Sequence, residues 1–364
     1  MKKITFLLLL ISLEAVSQNI FRCNNDPSVP VSATLKRTLQ EAHDIASDGD
    51  IIYVEPSFGG TTYGSLNMTK TLTIIGNGYD HSINPGSSQN WDTRASVVGA
   101  VNINGTTGGG SVFMGLTFNG ATISVKVPNV TIRRCKSFNI YFYREAGKNA
   151  SGANVLENHI ANVYAYGYSD YALNCYTAYP IENITIKNNI NLWFTSNTLS
   201  SGCSSSILTI PSCSNIVISN NVYYVGANIN YCMNCTITNN IFRTVPVAGI
   251  IGVLGTGSVI GNNVCGTNPC VQGSNNVNSA IDNQIFVASN PFSNDKDFAL
   301  KAASPAIGAG IGGVDAGVFS TSTPYVLSGL APIPQITSYS FNSSAGVYTT
   351  STPMTITLSI KGNN

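Results

Sequence analysis

Three ionisable residues, Arg133, Glu157 and Lys187, fall one position after the central apolar residue in successive copies of a short repeat. As stacked parallel strands they would share one outward face about 4.8 Å apart. That grouping suits a lyase acting on an acidic polysaccharide, which needs a base for the proton beside the carboxyl group and a cation to neutralise that carboxyl. Lys187 fits as the base, Arg133 as the neutraliser and Glu157 as the residue holding a calcium ion. An adjacent glutamate raises the lysine pKa where a base needs it lowered. A salt-bridge ladder across adjacent strands is therefore the stronger reading of the trio. Hydrolysis would need two carboxyls roughly 5 to 9.5 Å apart, and Glu157 and Asp282 lie five copies apart, about 24 Å. Asp170 and Glu182, in a long excursion before Ile186, are the remaining partners for Glu157.

Aromatic residues give the stronger surface signal. Ile140-Tyr-Phe-Tyr143, Val163-Tyr-Ala-Tyr-Gly-Tyr168, Tyr171, Tyr176, Tyr179 and Leu192-Trp-Phe194 crowd three consecutive repeats. With Ile140, Phe142, Val163, Ala165 and Leu192 facing inward, strand alternation puts Tyr141, Tyr143, Tyr164, Tyr166 and Trp193 outward. Beside Arg144, Glu145 and Asp170, these rings make a platform on which sugar rings stack by their apolar faces. The competing reading packs them under the loops of the two long repeats. Ice binding is disfavoured, because no outward column reads as a flat threonine array.

The nine cysteines include Cys232-Met-Asn-Cys235, which has the form of half a zinc site. Its partners would have to be Cys265 and Cys270 with no histidine nearby, so no metal is expected. Cys213 and Cys232 each precede a repeat centre, Ile218 and Ile237, by five residues. The two therefore share a column in successive coils, with Cα atoms about 4.8 Å apart, inside the disulfide window; contact is expected, as a bond or as a reduced inward stack.

The elements that must position these residues are read from the repeat itself. Asn183-Ile-Thr-Ile-Lys-Asn-Asn-Ile190 recurs as Asn215-Ile-Val-Ile-Ser-Asn-Asn-Val222 and Asn234-Cys-Thr-Ile-Thr-Asn-Asn-Ile241. Aligned with weaker copies, the centres are Phe113, Ile132, Leu156, Ile186, Ile218, Ile237, Ile260 and Ile281, at a mean interval of 24 residues. A short alternating strand at that spacing is the signature of a parallel β-helix. Two residues after the centres come Asn158, Asn188, Asn220, Asn239, Asn262 and Asn283, with Gly115 and Arg134 in the other two coils. Asparagine and glycine tolerate the left-handed backbone of a sharp bend, and stacked asparagines hydrogen-bond along the axis. The ladder is read as structural.

Thr34 to Ala46 places Leu35, Leu39, Ala42 and Ile45 on one helical face, an amphipathic helix suited to capping the solenoid edge. Gly49 to Val54 and Lys70 to Gly76 read as the first two coils, for ten or eleven in all. The tail carries two alternating segments, Gln335 to Phe341 and Met354 to Ile360, that can form a hairpin. Only 10% of the 364 residues are charged, 18 basic against 17 acidic. That balance offers no footprint for nucleic acid and no basic stripe for a membrane surface. Lys2 and Lys3, the apolar run Ile4 to Leu13 and Ala15-Val-Ser17 form a secretory signal peptide, too short to span a bilayer. A secreted or surface-held protein, with no membrane insertion, is expected.

Leu39-Gln-Glu-Ala42, Gly49-Asp-Ile-Ile-Tyr-Val-Glu-Pro56, Thr73-Ile-Ile-Gly-Asn-Gly-Tyr79 and the Asn-Asn coils resemble the pectin-lyase-like right-handed β-helix superfamily. Asp297-Phe-Ala-Leu300, Ser304-Pro-Ala-Ile-Gly-Ala-Gly310 and Asp315-Ala-Gly-Val-Phe319 resemble the closing segment of exported bacterial β-helix proteins of unestablished activity. The resemblance implies an all-β right-handed parallel β-helix and export. It covers about residues 30 to 335 and says little of activity. The Asn-Thr-Asp and Gly-His-Gly motifs of polygalacturonases and the Arg-x-Pro-x-x-Arg motif of pectate lyases are missing. The expected organisation is a signal peptide over 1–17, the β-helix over 30–320 and a proline-containing linker with a β tail over 321–364. The leading functional expectation is polysaccharide binding through the tyrosine-rich coils, ahead of a lyase or hydrolase on the same face and of a purely structural surface module.

Overall fold

A three-residue strand between two left-handed corners is the unit from which the chain is built. In the computed structural model the described residues are 18–81, 92–105, 107–136, 138–160, 162–172, 175–190, 192, 194–196, 198–203, 208–211, 213–223, 232–243, 256–266, 270, 273–288, 294–332, 334–341 and 354–361. The expected signal peptide lies outside them. Asn183 and Asn188, at φ 60° and 57°, bracket the strand Thr185–Lys187, and the same pairing recurs at Asn215 with Asn220 and at Asn234 with Asn239. Stacking these strands gives an 11-stranded sheet, parallel throughout. Its inward column runs Ile52, Ile74, Phe113, Ile132, Val155, Ile186, Ile218, Ile237 and Ile260 in strict register. Burying each such side chain contributes about 1.5–3 kcal/mol. The molecule is an all-β parallel β-helix.

The register corrects the sequence alignment at one coil. Val155, not Leu156, faces inward, because Asn154 pairs with Thr131 and Thr185. A one-residue slip would turn every side chain of that strand over. The buried amide of Asn158 fixes the choice. Its Oδ1 accepts from the Cys135 N–H at 2.9 Å, and its Nδ2 donates to Ile132 O at 2.9 Å and to Asn189 Oδ1 at 3.0 Å.

The ladder that follows is Asn158, Asn189, Asn221, Asn240, Asn263 and Asn276, each amide oxygen accepting from the backbone N–H one coil earlier. Asn188, Asn220, Asn239 and Asn262 form the left-handed corner expected of them, but the axial bonds expected of the same residues belong to their neighbours. One asparagine of each Asn-Asn pair bends the chain and the next one bonds along the axis. Asn283 belongs to neither column, since it lies in the short helix Asp282–Ile285. The last copy of the motif is Ser274-Asn-Asn-Val277, bridged to Gly261 and Val264.

A second sheet of ten strands carries the aromatic segments. Leu66–Met68, Val101–Ile103, Thr122–Val125, Asn139–Glu145 and the start of Asn162–Ala172 stack in parallel. From Tyr168 onward the chain leaves the solenoid. Asn162–Ala172, Cys175–Tyr179, Thr198–Cys203 and Leu208–Pro211 then pair antiparallel in sequence. These two hairpins account for the long 30- and 32-residue intervals between the sequence repeats.

Both boundaries of the solenoid body move outward from the expected 30–320. Ile20–Cys23 is an internal strand, paired with Leu35–Lys36 on one side and Ile51–Val54 on the other. Leu35 is therefore strand, and the helix is confined to Leu39–Ile45, started by a capping box of Thr38 and Glu41. At the other end residues 294–331 lie as a strap against the coils. Phe286, Phe298, Val318 and Tyr325 form a second apolar cluster with Ile190, Val222, Ile241 and Val264. Tyr325, Leu330 and Ala331 are buried, so this stretch is not a linker. Beyond it Gln335–Phe341 and Ile356–Lys361 pair as the expected hairpin. Among the described residues no helix is long and apolar enough to cross a membrane.

Candidate functional site

Strand alternation on the second sheet sorts the aromatic segments as expected. Ile140, Phe142, Val163, Ala165, Leu192 and Phe194 are fully buried. Tyr141, Tyr143, Tyr164 and Tyr166 point the other way and stay partly exposed. Tyr141 pairs with Tyr164 and Tyr143 with Tyr166 across one coil step. The Tyr141 and Tyr164 rings stack with centroids 4.5 Å apart, and Tyr164 and Tyr166 lie 5.5 Å apart. Partial burial, and then the neighbouring phenols, push the Tyr164 and Tyr166 hydroxyls above their usual pKa. They stay neutral donors at physiological pH.

Polar neighbours extend this face along the axis. Asn67, Asn102, Ser124, Tyr141, Tyr164 and Thr195 occupy one column. Asn162 Nδ2 donates to Asn139 Oδ1 at 2.7 Å beside it. Lys126, absent from the sequence reading, places its ammonium 5.7 Å from the Tyr143 ring centroid. The alternation Thr122-Ile-Ser-Val-Lys126 carried that signal. Lys126 also lines a groove of about 470 Å³ with Asn104, Pro128, Lys148 and Asn149. The column position next to Tyr164 in the following coil is Thr195, with Phe194 inward. Trp193 lies outside the described residues.

Arg144 does not stand free beside the rings. Its guanidinium donates to the Glu182 carboxylate and the Pro180 carbonyl, tying the base of the first hairpin to the next coil. Asp170 sits out on that hairpin, paired with Thr177.

The column expected of Arg133, Glu157 and Lys187 does not form. Arg133 and Lys187 flank Leu156, while Glu157 occupies the corner at φ 57°. There its carboxylate is buried. Oε1 accepts from Arg133 at 2.7 and 3.0 Å, and Oε2 accepts from Arg134 Nε at 2.6 Å. Arg134, also in left-handed conformation, donates its Nη1 to Leu330 O at 2.7 Å and so anchors the strap. Both carboxylate oxygens are thus engaged by arginines, which leaves Glu157 ill suited to calcium. The salt-bridge reading of the Arg133–Glu157 pair holds, with Arg134 in place of Lys187. The repeat alignment places Arg134 at a corner, as the structure does, but carries no sign that its guanidinium turns inward to Glu157 and the strap. Asp282 pairs with Arg243, at 2.9 and 2.6 Å, far along the chain from Glu157.

Cys213 and Cys232 are in register, as their column predicts, with Cα atoms 4.7 Å apart, and form a disulfide. Cys265 is likewise joined to Cys270. No family model matches the chain, and no curated protein matches it.

Proposed function

We propose that this is an exported protein of the pectin-lyase-like β-helix type that binds polysaccharide through its tyrosine face. The observation that carries the reading is the set of four outward tyrosines on two adjacent coils, Tyr141 and Tyr143 beside Tyr164 and Tyr166, backed by fully buried residues on the same strands. Rings held this way are already ordered, so stacking a sugar on them costs little side-chain entropy. A glycan lying along the axis would meet Asn67, Asn102 and Ser124 before reaching Tyr141 and Tyr164, over roughly 19 Å at one strand spacing per coil. The lyase alternative loses its support, because Lys187 pairs with Leu156 and not with Glu157, and the Glu157 carboxylate is taken up by two arginines.

The test is a glycan-array screen of the mature chain, followed by titration calorimetry on each hit with wild type and a Tyr141→Ala/Tyr164→Ala double variant. Binding that disappears in the double variant supports the platform. No glycan bound by wild type would leave a structural surface module, and the proposal would be withdrawn.

A further inference from the structure

Three sulfurs meet inside the solenoid. The Sγ atoms of Cys213, Cys232 and Cys235 all lie within 4.8 Å of one another, and all three residues are fully buried. Two of them form the Cys213–Cys232 bond and the third is a free thiol. The arrangement follows from the repeat. Cys213 and Cys232 stack in one inward column, while Asn234 turns the chain at φ 52° and delivers Cys235 inward beside them. Cys232-Met-Asn-Cys235 thus spans a left-handed corner with both cysteines on the core side.

We propose that these residues form an internal disulfide-exchange site. The Cys235 thiolate attacks Cys232 Sγ, a Cys232–Cys235 bond forms, the Cys213–Cys232 bond breaks, and Cys213 leaves as a thiolate. Cys213 then takes up the proton that Cys235 released, so the step needs no outside oxidant or reductant. Its effect is to trade a clamp between two coils for a short loop within one coil. Because the sulfurs are enclosed, solvent thiols do not reach them and the exchange is confined to this trio. Burial pushes the Cys235 thiol up to about 11, so its thiolate is scarce at neutral pH. The exchange rate should rise about tenfold per pH unit below that value.

The test begins with oxidised wild-type protein held at pH 5, 7 and 9, quenched in acid, and then denatured in the presence of a maleimide. Peptide mapping shows which cysteine of the trio carries the label. The expected result is label on Cys235 together with a fraction on Cys213 that grows at pH 9 faster than at pH 7 and stays unchanged at pH 5. Label confined to Cys235 at every pH and time would overturn the proposal, as would label on all three. A Cys213→Ser variant gives a second reading. Refolded from the reduced chain in a buffer of reduced and oxidised glutathione, which supplies the two-electron oxidant, it should form the Cys232–Cys235 bond, and two labelled thiols in the folded variant would count against exchange.

Discussion

The rings of Tyr141 and Tyr164 lie one coil apart with centroids separated by 4.5 Å and planes within 17° of parallel. They stack because parallel strands in register hold equivalent residues about 4.8 Å apart, within the centroid range of offset-stacked aromatic rings. The pair is a surface feature, so its removal separates binding from stability. Tyr141→Ala with Tyr164→Ala should weaken oligosaccharide binding at least tenfold and shift unfolding free energy by only about 1 kcal/mol. A large drop in the thermal transition would mark the rings as core and remove the platform.

Glu157 is expected to behave in the opposite way. Glu157→Gln leaves Arg133 and the buried Arg134 without their shared carboxylate, and breaking such a pair costs about 3–5 kcal/mol. Lys187→Ala, by contrast, should cost less than about 1 kcal/mol. Urea unfolding of the two variants checks the contrast. Wild type should also release no unsaturated uronate ends from alginate, pectin or chondroitin-type substrates.

Stability should fall with acidification through the histidine range. Burial, and then the charge of Lys136, lower His159 to about 4, where its ring edges meet Tyr79 and Phe298 under the strap. The folded form is therefore neutral where an unfolded histidine, with pKa near 6.5, takes a proton. Stability from this group is fully present above about pH 6.5 and is lost as pH falls toward 4. The loss is at most about 3 kcal/mol. Denaturant midpoints between pH 7 and 4 should drop for wild type and drop less for His159→Phe.

Neighbouring asparagines should respond differently to the same substitution. Asn221 accepts from Asn189 N–H and Nδ2 and donates to Ile186 O, all within the core. Asn221→Ala should cost several kcal/mol, because each buried group left unpaired costs about 1–3. Asn220 contributes its left-handed backbone, at φ 57°. Asn220→Gly keeps that backbone and loses only the long bond from Nδ2 to Gly317 O at 3.4 Å, so it should cost no more than about 1 kcal/mol, whereas Asn220→Val should cost about 1–2 kcal/mol more. Chemical denaturation of the three variants distinguishes corner from ladder.

Much of this architecture was legible in one phrase. Asn183-Ile-Thr-Ile-Lys-Asn-Asn-Ile190 spells corner, inward, outward, inward, outward, corner, ladder and core in order. Where the phrase was intact, as at Ile218 and Ile237, the expected register matched the structure, and the Cys213–Cys232 contact followed from it. Where it was degraded, at Asn154-Val-Leu-Glu-Asn158, hydrophobicity alone could not choose between Val155 and Leu156. The buried amide decided, and with it the fate of the Arg133–Glu157–Lys187 column. The tyrosine face was readable because period-2 alternation survives without knowledge of neighbours. The strap was not, because residues 294–331 follow no period and their partners are set by tertiary contact.

That strap changes what kind of folding unit the molecule is. A bare solenoid touches only its nearest repeats, so it can fray from an end and behaves as a one-dimensional chain of coupled units. Here Arg134 is bonded to Leu330 across 196 residues, and Tyr79 to Tyr325 across 246. Coils near the start of the chain are completed only when its far end arrives. Such long loops must close late and slowly, but once closed they tie distant coils into one transition. The protein should melt as a single cooperative body rather than unzip, and the tyrosine face, enclosed between the two anchor points in sequence, shares that all-or-none protection.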